Sequence, residues 1–257
     1  MDHRVPEGAA CGQDGCELPI TDAAVLPLQT VPARIDVISD AICPWCWIGK
    51  RNLAGALAQL AEEGERFEIH WRPFQLNPDM PREGVERDAY RAAKFGSLER
   101  SRELDAQVAA AGAAIGLEFR HDRMRRTPNT LDAHRLIRLA GESGAPLQDR
   151  IVEALFHAYF RDGRDIGSRT VLAEIAAEVG MDGAAVAGFL DSTAGEAEVR
   201  QEDLGFRRAG LSGVPSFALE GHLLFSGAMP AEHMAMAFRR ALSILRERRK
   251  GRDRPAQ

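Results

Sequence analysis

The chain has 257 residues, 45% of them hydrophobic and 28% charged, with a net charge of −5. That suits a globular fold with a sizeable core and excludes a protein that grips nucleic acid over a broadly basic surface. Four cysteines are too few to staple so long a chain. The N-terminus lacks the basic start and apolar run of a secretory signal, and no stretch approaches the ~20 apolar residues of a membrane span. A cytoplasmic protein without membrane or nucleic-acid partners is expected, and in that compartment a disulfide is transient or catalytic.

Residues 1–32 are rich in Gly, Pro, Asp and Ala, without period, and read as a flexible lead. A strand follows over 34–39. From Trp47 to about residue 63, Ile48, Leu53, Leu57 and Leu60 recur at helical spacing, with Gly64 as terminator. Phe67, Ile69 and Trp71 alternate with Glu68 and His70, as in a half-buried strand that ends at Pro73.

From Val85 to Gly205 the chain turns Ala-, Leu-, Glu- and Arg-rich, with helices predicted at 98–111, 130–139, 149–160 and 169–179 and one starting at Asp182. The β pattern resumes at 216–219 and 223–226 around a turn at Glu220-Gly221-His222. A last helix runs from about Pro230 to Arg248. The expected organisation is an α/β domain (33–83 and 206–248), thioredoxin-like in its strand–helix–strand then hairpin–helix order with Cys43-x-x-Cys46 at the first strand-to-helix junction, interrupted by a large all-helical subdomain (84–205). A basic tail (249–257) ends the chain.

Cys43-Pro44-Trp45-Cys46 lies where the first strand yields to the first helix. A helix N-terminus presents unpaired N–H groups and a positive dipole end, which favour a thiolate. Proline suits the first turn, where its missing N–H costs nothing. Cys43 is expected to be the exposed nucleophile and Cys46 the more buried resolving thiol. Zinc knuckles share the Cys-x-x-Cys spacing but need four ligands, and the other two cysteines, Cys11 and Cys16, sit in the lead. No metal site is expected. Cys11 and Cys16 form either a secondary redox pair or inert tail thiols. His121, His134, His157, His222 and His233 show no ligand spacing and are read as structural. Asp36, Asp40, Lys50 and His70 fall near the motif, and none stands out as an acid or base for Cys46.

Four segments together resemble the DsbA-like thioredoxin-fold oxidoreductases, specifically the FrnE-like branch. They are Ser39-Asp40-Ala41-Ile42-Cys43-Pro44-Trp45-Cys46-Trp47-Ile48-Gly49-Lys50, Phe74-Gln75-Leu76-Asn77-Pro78, Pro128-Asn129-Thr130-Leu131-Asp132-Ala133-His134-Arg135 and Gly213-Val214-Pro215-Ser216-Phe217. The resemblance implies a cis Val214–Pro215 peptide facing the cysteines. It also implies a substrate surface of Pro44, Trp45, Val214 and Pro215. Read from the residues alone, Gly-Val-Pro before a strand is also an ordinary strand entry.

The function expected is thiol–disulfide exchange with protein substrates, with no bound cofactor beyond a redox-active disulfide. Glutathione or a thioredoxin system would recycle it. The alternative is a glutathione-dependent isomerase or transferase acting on a small aromatic or polyketide substrate. The superfamily holds 2-hydroxychromene-2-carboxylate isomerases and kappa-class transferases, which resemblance links to a single activating Ser or Cys rather than a dithiol.

Overall fold

The computed structural model describes residues 32–252. In chain order it forms strand β1 (Ala33–Ser39), helix α1 (Pro44–Glu62), strand β2 (Phe67–Pro73), a short strand β3 (Val85–Glu86), and helices α2 (Arg87–Phe95) and α3 (Leu98–Ala113). Strand β4 (Arg126–Thr127) precedes helices α4 (Leu131–Glu142), α5 (Ala145–Phe156), α6 (Arg169–Glu178), α7 (Gly183–Asp191) and α8 (Glu196–Arg208). Strands β5 (Ser216–Leu219) and β6 (His222–Ser226) and helix α9 (Ala231–Arg252) complete the fold.

The main sheet has the order β2-β1-β5-β6, with β1 parallel to β2 and antiparallel to β5. Parallel pairing needs a crossover, and α1 supplies it. Central β1 is buried on both faces, with Ile35 and Val37 wholly enclosed. Asp36 is tolerated there because its carboxylate meets Arg34 and Arg72, the latter at 2.8 Å. Helix α1 turns Leu53, Ala56 and Leu60 inward and packs beside α9, whose Met234, Ala235, Phe238 and Leu242 are buried. This is a thioredoxin-like sheet with its helical insertion between β2 and β5.

The insertion shares the core of the sheet domain. Trp47, next to Cys46, packs its ring among Phe119, Phe156 and Phe160, at centroid distances of 5.0, 6.3 and 5.9 Å. Its indole N–H donates to Glu153 at 3.2 Å. The residue that follows the cysteine motif therefore joins α1 to the helical layer, and burying so large a ring contributes on the order of 2–3 kcal/mol.

Helix α1 starts at Pro44, in the first-turn place expected of that proline, with Cys43 as its extended N-cap. Other element boundaries differ from expectation. Helix α5 starts at Ala145, led by Pro146 in its first turn, and gives way to a π-helical turn over His157–Arg161. The insertion is not wholly helical, since Val85 pairs with Thr127 and Glu86 with Arg126. The lead with Cys11 and Cys16, through residue 31, lies outside the described residues, as do 253–257 of the tail. No helix among the described residues is long and apolar enough to cross a membrane.

Candidate active site

Strand β1 delivers the chain to a tight turn in which the Asp40 carbonyl accepts the Cys43 N–H at 3.0 Å. Cys43 caps α1 in extended conformation with no side-chain cap bond, and Pro44 follows in the first turn. The Cys46 N–H donates to the Cys43 carbonyl at 3.0 Å. Both sulfurs thus belong to the first turn of α1, and both are free thiols.

Opposite them, the Val214–Pro215 peptide is cis. The Val214 carbonyl accepts a hydrogen bond from Cys43 Sγ at 3.6 Å. Helix α1 approaches this peptide through Gly49, where a Cβ would stand 2.9 Å from Pro215 Cγ and 3.4 Å from Phe217 Cζ.

Cys43 is more enclosed than expected. It is 4% exposed and Cys46 0%, while Trp45 between them is 43% exposed. The Val214 carbonyl sits against Cys43 Sγ, and the most exposed member of the motif is the tryptophan. Burial pushes the Cys46 thiol well above the usual thiol range, and the neighbouring Cys43 sulfur pushes it the same way. Hydrogen bonding from the Ser39 hydroxyl and the Asp40 backbone opposes this, without overcoming it.

Asp40 is wholly buried. One carboxylate oxygen accepts the Leu76 N–H at 2.6 Å and fastens the 74–77 loop beside the cysteines. That loop is held again by Asp203, which accepts the Gln75 N–H at 3.1 Å.

Cys43, Pro44, Trp45, Leu76 and Val214 line one wall of a cleft of about 380 Å³. The other wall comes from the insertion. There Tyr90 donates to Asn77 at 2.5 Å and Lys94 to the Tyr90 oxygen at 2.8 Å. Arg87 and Arg91 both grip Asp105, at 2.8 and 2.7 Å. Burial lowers the His121 pKa from 6.5 to about 4, so this ring is neutral at physiological pH. Burial likewise raises that of Tyr159, whose hydroxyl donates to the Arg126 carbonyl at 3.2 Å.

The structure thus brings Cys43, Cys46, Pro44, Trp45, Val214 and Pro215 together. Other residues near the motif in sequence are engaged elsewhere. Lys50 pairs with Asp149 and Glu153, at 2.9 and 3.0 Å, and His70 pairs with Glu68 at 2.9 Å. Tyr90, Arg91, Lys94 and His121 of the cleft were not singled out as site residues from sequence. A signal existed, since Arg87, Tyr90, Arg91 and Lys94 fall on one helical face. Among the described residues no cluster of three or more His, Cys, Asp or Glu side chains is arranged to hold a metal.

With this geometry in view, residues 34–239 match the DSBA-like thioredoxin domain family, and the chain belongs to that family. The probable DsbA oxidoreductase SCO1869 of Streptomyces coelicolor is 30% identical, with a TM-score of 0.73, covering 88% of this chain and 93% of that one. The uncharacterized protein YwbO of Bacillus subtilis is 26% identical over 200 residues, 76% of this chain and 90% of its own. The cytosolic disulfide reductase DsbM of Pseudomonas aeruginosa, solved with glutathione, shares the fold at 22% identity. Its TM-score is 0.53, and the match covers 84% of this chain and 99% of DsbM.

Proposed function

We propose that this protein is a cytoplasmic thiol–disulfide oxidoreductase that exchanges disulfides with protein substrates through Cys43 and Cys46. One observation carries the reading: two free thiols share the first turn of α1, one against the cis Val214–Pro215 peptide at a cleft wall, the other sealed beneath. Cys43 attacks a substrate disulfide and forms a mixed disulfide. Cys46 then attacks Cys43, closing the Cys43–Cys46 bond and releasing the reduced substrate. Pro44, Trp45, Val214 and Pro215 present the substrate-facing surface, and backbone groups of Val214 pair with an extended segment.

Glutathione or a thioredoxin system returns the pair to its starting state. Glutathione as co-substrate of an isomerase or transferase is the competing activity, and the second thiol weighs against it. Cys43→Ser is expected to abolish exchange. Cys46→Ser is expected to accumulate covalent substrate adducts in cells, visible on non-reducing gels. Isomerase turnover that survives in Cys46→Ser with glutathione present would replace this reading with the competing one. A reduction potential near about −270 mV would indicate a reductase or isomerase, and a markedly higher one an oxidant.

A further inference from the structure

Cys46 must shed a proton before it can resolve a mixed disulfide, yet its side chain has no contact with solvent. Ser39, whose hydrogen bonding favours the Cys46 thiolate, also lines a small void of about 10 Å³ together with Trp71, Arg72 and His134. That space is close to what one water molecule needs, and the serine and histidine supply polar partners for it.

His134 is 3% exposed, and its Nε2 makes no hydrogen bond. The nearest carboxylate oxygen, Oδ1 of Asp40, lies 3.4 Å away without hydrogen-bond geometry. A buried ring nitrogen without a partner is uncommon in a folded protein and calls for a reason. The same histidine also lines a second cleft, of about 160 Å³, with His70, Arg72, Arg138, Glu142 and Glu202. The exposed side chains of Arg138 and Glu142 form its rim. His134 therefore lines both the small void beside Ser39 and the second cleft, which opens to water.

We propose that His134 is the proton acceptor for Cys46, reached through the Ser39 hydroxyl and one bridging water molecule, and that it discharges to solvent through the second cleft. The inference rests on the dithiol reading above and adds the missing base. In the step, the Cys46 S–H proton passes to the Ser39 oxygen, Ser39 passes its own proton to the water, and the water protonates His134 Nε2. The Cys46 thiolate attacks Cys43 Sγ, the Cys43–Cys46 bond forms and the bond to the substrate sulfur breaks. The substrate leaves as a thiolate carrying both electrons, and takes a proton from solvent. His134 returns to neutral by releasing its proton to the second cleft.

Asp40 faces the ring from the turn after β1, its Oδ1 3.4 Å from Nε2. His70 and Arg72 of β2, Arg138 and Glu142 of α4, and Glu202 of α8 set the remaining field. Arg72 and Glu202 largely offset each other in an ion pair of 3.0 Å.

The test is stopped-flow reaction of the reduced full-length protein with 5,5′-dithiobis(2-nitrobenzoate). The first thionitrobenzoate released reports attack by Cys43, and the second reports attack by Cys46. In folded His134→Gln, the second rate relative to the first is expected to fall roughly 100-fold at about pH 7. The deficit should close as hydroxide takes over at high pH, and Ser39→Ala should show the same pH-dependent lag. A second phase at the wild-type rate, or one slowed equally at every pH, overturns the relay while leaving the dithiol intact. Should His134→Gln not fold, histidine nitrogen NMR of the wild type decides: its titration must differ between reduced and oxidised protein, and identical curves overturn the proposal. If wild type releases no second thionitrobenzoate at any pH, the dithiol reading itself fails.

Discussion

Gly49 of α1 and Pro215 of the cis peptide meet so closely that a methyl group on the glycine would stand 2.9 Å from the proline ring. A helix-interior alanine ordinarily gains about 0.5–1 kcal/mol over glycine. Here the neighbour is a rigid ring, with Phe217 behind it, so the sign reverses. Gly49→Ala is expected to cost about 1–3 kcal/mol in chemical denaturation. It should also slow disulfide exchange by shifting the Val214 carbonyl from Cys43. A more stable variant with unchanged exchange would show that this contact does not set the site.

Burial holds the Cys46 thiol protonated well past its ordinary range. In Cys43→Ser, alkylation of Cys46 by iodoacetamide should be negligible at about pH 8 in native buffer and rapid once the chain is denatured. Mass spectrometry of timed samples measures both. Equal rates in the two conditions would contradict the sealed position.

His121 is held neutral, its pKa lowered from 6.5 to about 4 by burial beside the cleft. The folded state binds this proton less readily than the unfolded chain does. Its contribution to stability is therefore complete above pH 6.5 and is lost as pH falls toward 4, by up to about 3 kcal/mol. Asp36 and Glu202, whose pKa values burial raises, act with the opposite sign at acid pH, so a difference measurement is needed. The gap in unfolding free energy between wild type and His121→Phe should change across that window and stay flat above it.

Arg135 is wholly buried, and its guanidinium donates to Asp132 at 2.7 Å and to the carbonyls of Phe189, Leu190, Ser192 and Ala194. It thereby ties α4 to the end of α7 and the turn into α8. Arg135→Met is expected to cost roughly 3–5 kcal/mol, because the buried acceptors lose their donor. Lysine should rescue only a fraction, since it lacks the planar fork. Thermal melts of the two variants compare them directly.

Much of the main sheet and the helix carrying the cysteines was legible beforehand. Alternation at Phe67, Ile69 and Trp71 marks a strand with one face more buried than the other, and the spacing of Leu53 and Leu60 marks a helix against the core. What failed was local competition. Helix α5 reaches back to Ala145 because the turn at Gly144 and the proline in its first turn, rather than apolar spacing, start it. The β3–β4 ladder joins residues about forty positions apart, and no short-range pattern encodes it.

By itself, the order of residues determined that two cysteines sit one helical turn apart at a strand-to-helix junction, because spacing and proline chemistry are local properties. Only the tertiary structure decided that the Val214 carbonyl meets Cys43 Sγ, that α2 supplies the far wall of the cleft, and that His134 shares a small void with Ser39 while its Nε2 lacks a hydrogen bond. Such relations depend on which distant segments the core draws together, and burial acts there through neighbours far removed along the chain.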